Sequence, residues 1–210
     1  MKGPDNLSNR DGVSSPSGTT SATLIERVKG GDSQSWERLM KLYSPLVLWW
    51  CRTRGTRRED AEDIAQDVFK TVFGRIADFT KRQPGSSFRA WLRTITHYKV
   101  GDHLRRSRHR PAAAGGSDAQ EILAELPEEF GDDSSADEDP SERVVLLRSA
   151  MELVRPEFEP PTWAAAMRTA VEGQRPAQVA AALGLSPSAV YTAKSRVLKR
   201  LREELGTLLT

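Results

Sequence analysis

The chain has a single cysteine, Cys51, among its 210 residues, and three histidines, His97, His103 and His109. One cysteine can form neither an internal disulfide nor a cysteine-based zinc site, which favours a reducing compartment. On a helix, the six-residue spacing of the histidines spreads them over different faces, so they predict no metal cluster and no catalytic dyad. The sequence also has no phosphate-binding glycine loop. We therefore expect a protein that is not an enzyme and that holds no metal or cofactor.

Long apolar runs are missing as well. No segment approaches the roughly 20 apolar residues that would span a bilayer. The first 20 residues contain Gly, Ser, Pro and Thr without an apolar run, which predicts neither a signal peptide nor an anchor. We expect a cytoplasmic protein without a membrane partner, with residues 1–20 as a disordered tail.

Charge is abundant, and it is sorted into blocks. Residues 21–110 carry 19 Lys and Arg against 10 Asp and Glu, and residues 143–210 carry 10 against 6. Residues 111–142 between them carry 11 acidic residues and no basic one. Because exposed charges more than about 8 to 10 Å apart are largely screened, each block acts locally. The pattern predicts two basic modules joined by an acidic connector, with nucleic acid as the first partner to consider.

The positions of helix-starting and helix-ending residues predict an all-α fold of two small domains, residues 21–110 and 143–210, each with a small core of its own. Residues 111–142 have few large apolar side chains, which predicts a flexible acidic linker with one short helix over residues 121–126. Such a segment can compete with nucleic acid for the basic modules, or lie in a basic channel of a partner.

Capping signals place three helices in the first domain. Asp32 caps the first, Thr56 and Glu59 form a capping box for the second, and Ser86 or Ser87 caps the third. The second helix carries an acidic face opposite its apolar stripe, which is either solvated surface or a protein-docking face. The third presents a polar, basic and aromatic face made of Thr94, His97, Tyr98, Gly101 and Arg105.

The second domain begins at a further cap. In the segment 139–142, Asp139 is the cap, Pro140 takes the first helical position, and Glu142 is expected to bond back to the cap.

The most specific local motif is the helix, turn and helix over residues 176–205. Ala180 provides a small residue where two helices cross, and Gly184 can enter the left-handed turn conformation, as a helix-turn-helix requires. In such units the start of the second helix enters the major groove. The candidates for base edges are Ser186, Ser188, Ala189, Tyr191, Thr192, Ser195 and Arg196. The candidates for phosphates are Lys194, Lys199 and Arg200.

A helix-turn-helix alone does not separate a repressor, a response-regulator output domain and an initiation factor. The order of both modules does, because the chain resembles the extracytoplasmic-function (ECF) group of sigma-70 factors. The resemblance lies in DAEDIAQDVF at 60–69, FRAWLRTI at 88–95, the end of that helix at 102–106, and the helix at 190–205. It implies a region 2 bundle that binds core RNA polymerase and the −10 element, and a region 4 helix-turn-helix that binds the −35 element.

The resemblance also implies residue roles. Polymerase docking falls to Asp60, Glu62, Asp63, Gln66 and Asp67. Capture of the −10 non-template strand falls to Thr94, His97, Tyr98, Lys99, Arg105 and Arg106. Many relatives carry asparagine where this chain has Tyr98 and a basic residue where it has Gly101, so family rules for the −10 sequence do not transfer.

The implied function is promoter recognition and melting for transcription initiation. The implied partners are core RNA polymerase, through its clamp helices and flap, promoter DNA and an anti-sigma factor. The alternative is a stand-alone helix-turn-helix regulator, which would bind duplex DNA tightly without polymerase.

Overall fold

The computed structural model describes residues 20–79, 87–108 and 139–206. Within these ranges the regular structure is entirely helical, which confirms the all-α prediction. The helices are α1 (Thr20–Lys29), α2 (Ser33–Thr53), α3 (Arg58–Arg75), α4 (Phe88–Arg108), α5 (Pro140–Val154), α6 (Pro160–Ala170), α7 (Pro176–Leu183) and α8 (Pro187–Leu205). A 3₁₀ turn, Arg155–Glu157, joins α5 to α6. Of the tail predicted over residues 1–20, residues 1–19 lie outside the described residues, and Thr20 is the first residue of α1. The linker helix predicted over 121–126 also lies outside them.

Four of the predicted helix starts are confirmed by cap hydrogen bonds. In each, a side-chain oxygen accepts from a backbone amide in the first turn, which satisfies a donor that the helix itself leaves without a partner. The pairs are Asp32 with Gln34, Ser87 with Ala90, Asp139 with Ser141, and Ser186 with Ala189.

The capping box predicted at Thr56 and Glu59 is wrong. Helix α3 begins at Arg58, and Arg57 takes the cap position without a side-chain hydrogen bond. The amide of Thr56 instead donates to the carbonyl of Cys51, 3.3 Å away, which ties Thr56 to the end of α2. The helix therefore starts one residue later than the capping pattern indicates.

Helix α2 lies at the centre of the first module, against α3 and α4. Leu39 and Leu42 from α2, Val68 from α3 and Leu92 from α4 are completely buried. Trp91 is half-buried in the same region, and its ring lies 5.1 Å from that of Phe79. Cys51 is fully buried and packs as a small apolar side chain.

The two halves share one apolar core, which corrects the expectation of two separate cores. Leu146, Ala150 and Val154 of α5 are fully buried in the same cluster as the α2 side chains. Val197 and Leu201 of α8 belong to this cluster too. A domain of this size buries only about 60% of the surface that its unfolded chain exposes, so contact between the two halves buries surface that each would leave exposed alone.

The helix-turn-helix keeps a smaller core of its own. Val179 and Ala180 of α7 pack against Val190 and Ala193 of α8. Gly184 has φ +65°, the left-handed conformation expected at the turn. The start of α8 therefore projects from this small core and is not enclosed by the large one. In the part of the chain that the structure describes, no helix is both long and apolar enough to cross a bilayer.

Candidate polymerase and nucleic-acid interfaces

The acidic residues predicted for polymerase docking share the outward face of α3. Glu62, Asp63, Gln66 and Asp67 are exposed, opposite the buried stripe that starts at Ala61. This segregation follows from helix geometry, because residues three and four apart fall on one side. Their ion pairs are local and exposed: Arg58 lies 3.3 Å from Glu62, and Lys70 lies 3.1 Å from Asp67. Asp60 is half-exposed and lies 3.6 Å from the Nε2 atom of His103.

An apolar groove, which was not predicted from the sequence, borders this acidic face. Its volume is about 380 Å³, and it is lined by Trp36, Met40, Gln66, Phe69, Lys70 and Phe73. The Phe73 side chain is 70% exposed, and its ring meets that of Trp36 edge to face at 5.3 Å. The available signal was the position of Phe73 four residues after Phe69, which extends the apolar stripe beyond the core.

The residues predicted for the −10 strand divide into two groups on α4. Thr94, His97 and Tyr98 lie on one half-buried side, where the His97 ring meets the Trp50 ring at 6.4 Å. The Nη2 atom of Arg54, the residue that follows α2, lies 3.0 Å from the Nδ1 atom of His97 and extends this side beyond α4.

Lys99 and Arg106 instead face α3. Together with Asp63, Asp67 and His103 they line a cavity of about 60 Å³. Arg106 and Arg105 both pair with Asp102, the latter at 3.8 Å. Two of the basic residues predicted to contact the −10 strand, Lys99 and Arg106, thus lie beside acidic residues of the docking face.

The start of α8 presents the residues predicted to read duplex DNA. Tyr191 is 62% exposed, and Val190 before it is fully buried against α7. The other exposed candidates are Ser186, Ser188, Ala189, Thr192, Ser195, Arg196 and Lys199, and Lys194 is half-exposed. One side of α8 is buried against the rest of the protein, and the predicted DNA-binding residues remain accessible on the other side.

Arg200 does not belong to that set. Its guanidinium lies 2.6 Å from Glu157 and 2.9 Å from Glu204. Because these carboxylates hold Arg200 at the junction of the two halves, we remove it from the predicted phosphate contacts.

Glu142 is a further difference from the sequence prediction. Its side chain does not bond back to the Asp139 cap but crosses to the first module, where its Oε1 atom accepts from the indole Nε1 of Trp50 at 2.8 Å. Arg93 of α4 donates to the same oxygen. The carboxylate is 1% exposed, so a capping pattern in the sequence has become a contact between the two halves.

Among the described residues, no group of three or more His, Cys, Asp or Glu side chains is placed to hold a metal ion. Burial raises the pKa of the Cys51 thiol to about 11, so this thiol stays protonated near neutral pH. A protonated, buried thiol is a poor nucleophile.

Comparison with known proteins identifies the family of this chain. The family model of sigma-70 region 2 matches residues 39–110. The RNA polymerase sigma factor CarQ of Myxococcus xanthus is 30% identical over 184 residues, which cover 88% of this chain and 97% of CarQ. The ECF RNA polymerase sigma factor ShbA of Streptomyces griseus is 33% identical over 193 residues, which cover 88% and 94% of the two chains. A chain of the solved RsbN–BldN complex is 21% identical, covering 84% of this chain and 96% of its own length, with a TM-score of 0.35. The chain belongs to the ECF group of sigma-70 factors, the subunits that direct RNA polymerase to promoters for transcription initiation.

Proposed function

We propose that this chain docks on core RNA polymerase through the outward face of α3 and guides it to promoters that contact α4 and α8. The observation that carries the proposal is the acidic, partly apolar face of α3 within an otherwise basic module. Acidic side chains repel a DNA backbone, so a module that only binds DNA gains nothing from this face. A protein partner with basic and apolar side chains complements it.

The groove beside Gln66 extends the proposed docking surface. Exposed aromatic side chains at the centre of a protein interface contribute strongly to binding when a partner covers them. Phe73 is exposed in this groove and Trp36 is half-buried there, and Gln66 and Lys70 form the polar part of its lining, next to the acidic residues of α3. We therefore include Phe73, Trp36 and Met40 with the five docking residues predicted from the sequence.

The two DNA-binding roles differ in the form of DNA that each face suits. The start of α8 projects as a helix end that fits a major groove, where Arg196 and the polar side chains reach base edges. The half-buried side of α4 offers aromatic and basic groups, which suit unstacked bases and their phosphates. We assign duplex −35 recognition to α8, and −10 strand capture to Thr94, His97 and Tyr98 with help from Arg105.

The working units in this proposal are residues 21–110 and 143–210, with 111–142 as the connector. As partners we propose core polymerase, promoter DNA and an anti-sigma factor. Since these functions are performed with polymerase in the cytoplasm, we place the chain there. Opening of the DNA strands is driven by their binding to the chain and to polymerase. We therefore assign no covalent reaction to this chain.

The experiment is co-elution of the purified chain with core RNA polymerase, followed by run-off transcription from genomic promoter fragments. We expect a stoichiometric complex and transcripts that core enzyme alone does not produce. A chain that binds a duplex operator at nanomolar concentration and never associates with core enzyme would instead be a stand-alone regulator. That alternative is not favoured by the relatives, because full-length sigma factors match both halves of the chain.

A further inference from the structure

The turn between α2 and α3 is rich in arginine and has no role in the interfaces described above. Arg52, Arg54, Arg57 and Arg58 lie close together in the sequence, and all four are exposed. Arg58 lies 3.3 Å from Glu62. Within the described ranges of the chain, none of the other three is paired with a carboxylate. Their positive charge is therefore available to an anionic partner.

Arg54 is the residue of this turn that reaches α4. Its Nη2 atom lies 3.0 Å from the Nδ1 atom of His97. Because a guanidinium only donates hydrogen bonds, the Nδ1 atom of His97 is the acceptor in this contact. The contact uses a single N–H group of a side chain that has several. The remaining N–H groups of Arg54 suit an anion that lies beside the His97 ring.

Gly101 leaves a gap on the same side of α4. It lies one turn after His97 and one turn before Arg105, so the three residues share one side of the helix. Apart from neighbouring residues of α4, no atom lies within 4 Å of the place where a Cβ of residue 101 would be. Helix α4 therefore presents neither a side chain nor a charge at this position, where many related factors carry a basic residue.

The basic residues of α4 differ from Arg54 in their surroundings. Four of them have an acidic residue as an ion-pair partner or as a neighbour in a shared cavity, namely Arg93, Lys99, Arg105 and Arg106. A phosphate has to compete with these carboxylates for each of the four. Arg54 is a cation in contact with the strand-binding side of α4 that has no such competitor within the described residues.

We propose that Arg54 binds a phosphate of the non-template DNA strand beside His97, and so supplies the positive charge that α4 lacks at Gly101. This inference rests on the proposed function of α4. A guanidinium binds phosphate through charge-assisted hydrogen bonds, and the contact with His97 orients Arg54 before the strand arrives. The unpaired bases next to that phosphate then lie against the His97 and Tyr98 rings.

The test measures the affinity of the complex of chain and core polymerase for a fork-junction promoter. This DNA is a fragment identified by run-off transcription, with its non-template strand unpaired around −10 from the mapped start. Arg54→Ala should bind several-fold more weakly. The slope of log affinity against log salt should also decrease in magnitude by about 0.7, the value for one phosphate contact to a single strand. Arg148→Ala is the matched control, because Arg148 is an exposed arginine of α5, and it should change neither quantity.

A second substitution tests whether positions 54 and 101 serve the same phosphate. Added to Arg54→Ala, Gly101→Arg should restore both the affinity and the salt slope. Gly101→Gln adds a side chain without a charge and should restore neither. In the unchanged chain, Gly101→Arg should raise the affinity less, because Arg54 already binds the phosphate. An equal rise in both backgrounds would contradict the proposal.

The outcomes for Arg54→Ala are separate from a failure to fold. The hydrogen bonds of Arg54 that end α2 come from its backbone, and its side chain is exposed, so the variant should keep the Tm of the unchanged chain. Unchanged affinity would overturn the proposal. Weaker binding with an unchanged salt slope would show that Arg54 only orients His97, which also overturns it.

Failure of the proposed function gives a different result. In that case the chain does not associate with core polymerase, or the complex initiates no transcripts, and no fork-junction promoter is obtained. If the complex forms and transcribes but Arg54→Ala binds the fork junction as the unchanged chain does, only the role of Arg54 is wrong.

Discussion

Arg38 of α2 binds Glu204 of α8 across 166 positions of sequence, with its Nε atom 2.8 Å and its Nη2 atom 2.5 Å from the two carboxylate oxygens. Glu204 is almost completely buried, and Arg200 donates to it from the other side at 2.9 Å. Glu157 accepts from both arginines and closes the network. Two guanidinium groups thus compensate one buried carboxylate, which fastens the end of α8 to the first module.

Replacing Arg38 by Met should destabilise the protein. Removing one partner of a buried pair can cost about 3 to 5 kcal/mol. The Arg38 side chain is 32% exposed and Arg200 remains in place, so we expect a smaller loss, about 1 to 2 kcal/mol in the free energy of unfolding. Urea denaturation measures it. Lys41→Met is the control, because the Lys41–Glu37 pair is exposed and should contribute less than about 0.5 kcal/mol.

The same network predicts a dependence of stability on pH. Burial raises the pKa of Glu204, but the hydrogen bond and charge of Arg38, together with Arg200, outweigh it and hold the pKa below the usual 4.5. A carboxylate whose pKa is lowered by folding stabilises the fold above its unfolded pKa and loses this contribution as pH falls through the folded value. At pH 7 the Tm of the unchanged chain should therefore be higher than the Tm of the Glu204→Gln variant. This difference in Tm should become smaller below pH 4.5. An equal difference at both pH values would show that the charge of Glu204 is not involved.

Two glycines should respond to alanine with opposite signs. Gly184 has φ +65° and no atom near an added Cβ, so only the left-handed backbone opposes Gly184→Ala, at about 1 to 2 kcal/mol. Gly101 lies inside α4 with open space around it, so Gly101→Ala should stabilise the protein by about 0.5 to 1 kcal/mol. Thermal unfolding of both variants checks the pair. Destabilisation by Gly101→Ala would indicate a constraint on α4 beyond its own backbone.

Reversing the charges of Asp63 and Asp67 to Lys should weaken polymerase binding while the fold is retained. Both carboxylates are exposed, and the Asp67–Lys70 pair is too exposed to contribute much stability. We expect about a tenfold loss of affinity for core polymerase or more, which is about 1.4 kcal/mol. The control reverses Glu152 and Glu172, which are exposed on α5 and after α6. Normal affinity of the Asp63 and Asp67 variant in a co-elution assay would refute the assignment of α3.

Replacing Arg196 by Ala should weaken binding of the polymerase complex to duplexes with the upstream element. Arg196 is exposed on the reading face of α8. The loss should be about 1 to 3 kcal/mol if its guanidinium grips a guanine, and smaller if it touches only phosphate. Electrophoretic mobility shifts at fixed salt measure it, with Lys199→Ala as the comparison for a phosphate contact. Unchanged binding would remove Arg196 from the site.

The sequence predicted well those features that depend on neighbouring residues. The cap at Asp32, the left-handed turn at Gly184 and the helix start at Ser186 are confirmed, because each depends on a side chain and backbone a few positions apart. The presentation of α8 followed from the burial of Val190, which the helix-turn-helix spacing predicts.

What the sequence did not show depends on contacts between distant segments. The reciprocal cap at Glu142 and the phosphate role of Arg200 were reasonable from local pattern, but both side chains form contacts to distant parts of the chain. The groove at Phe73 was missed because α2 and α3 form it together. The apolar stripe of either helix alone does not indicate that the groove between them remains uncovered. The hydrogen bonds and ion pairs between α2, α4, α5 and α8 follow no repeating pattern in the sequence, so the sequence does not indicate them.

Helix α8 extends from the helix-turn-helix at one end to the shared core at the other. Its first turns carry Tyr191 in the open, while Val197 and Leu201 further along are enclosed. At 1.5 Å per residue, its 19 residues form a rod about 28 Å long. A rod held at its base transmits a small tilt there as a larger displacement at its tip. The packing around Leu201 thus sets the angle at which the reading end meets a groove far from it.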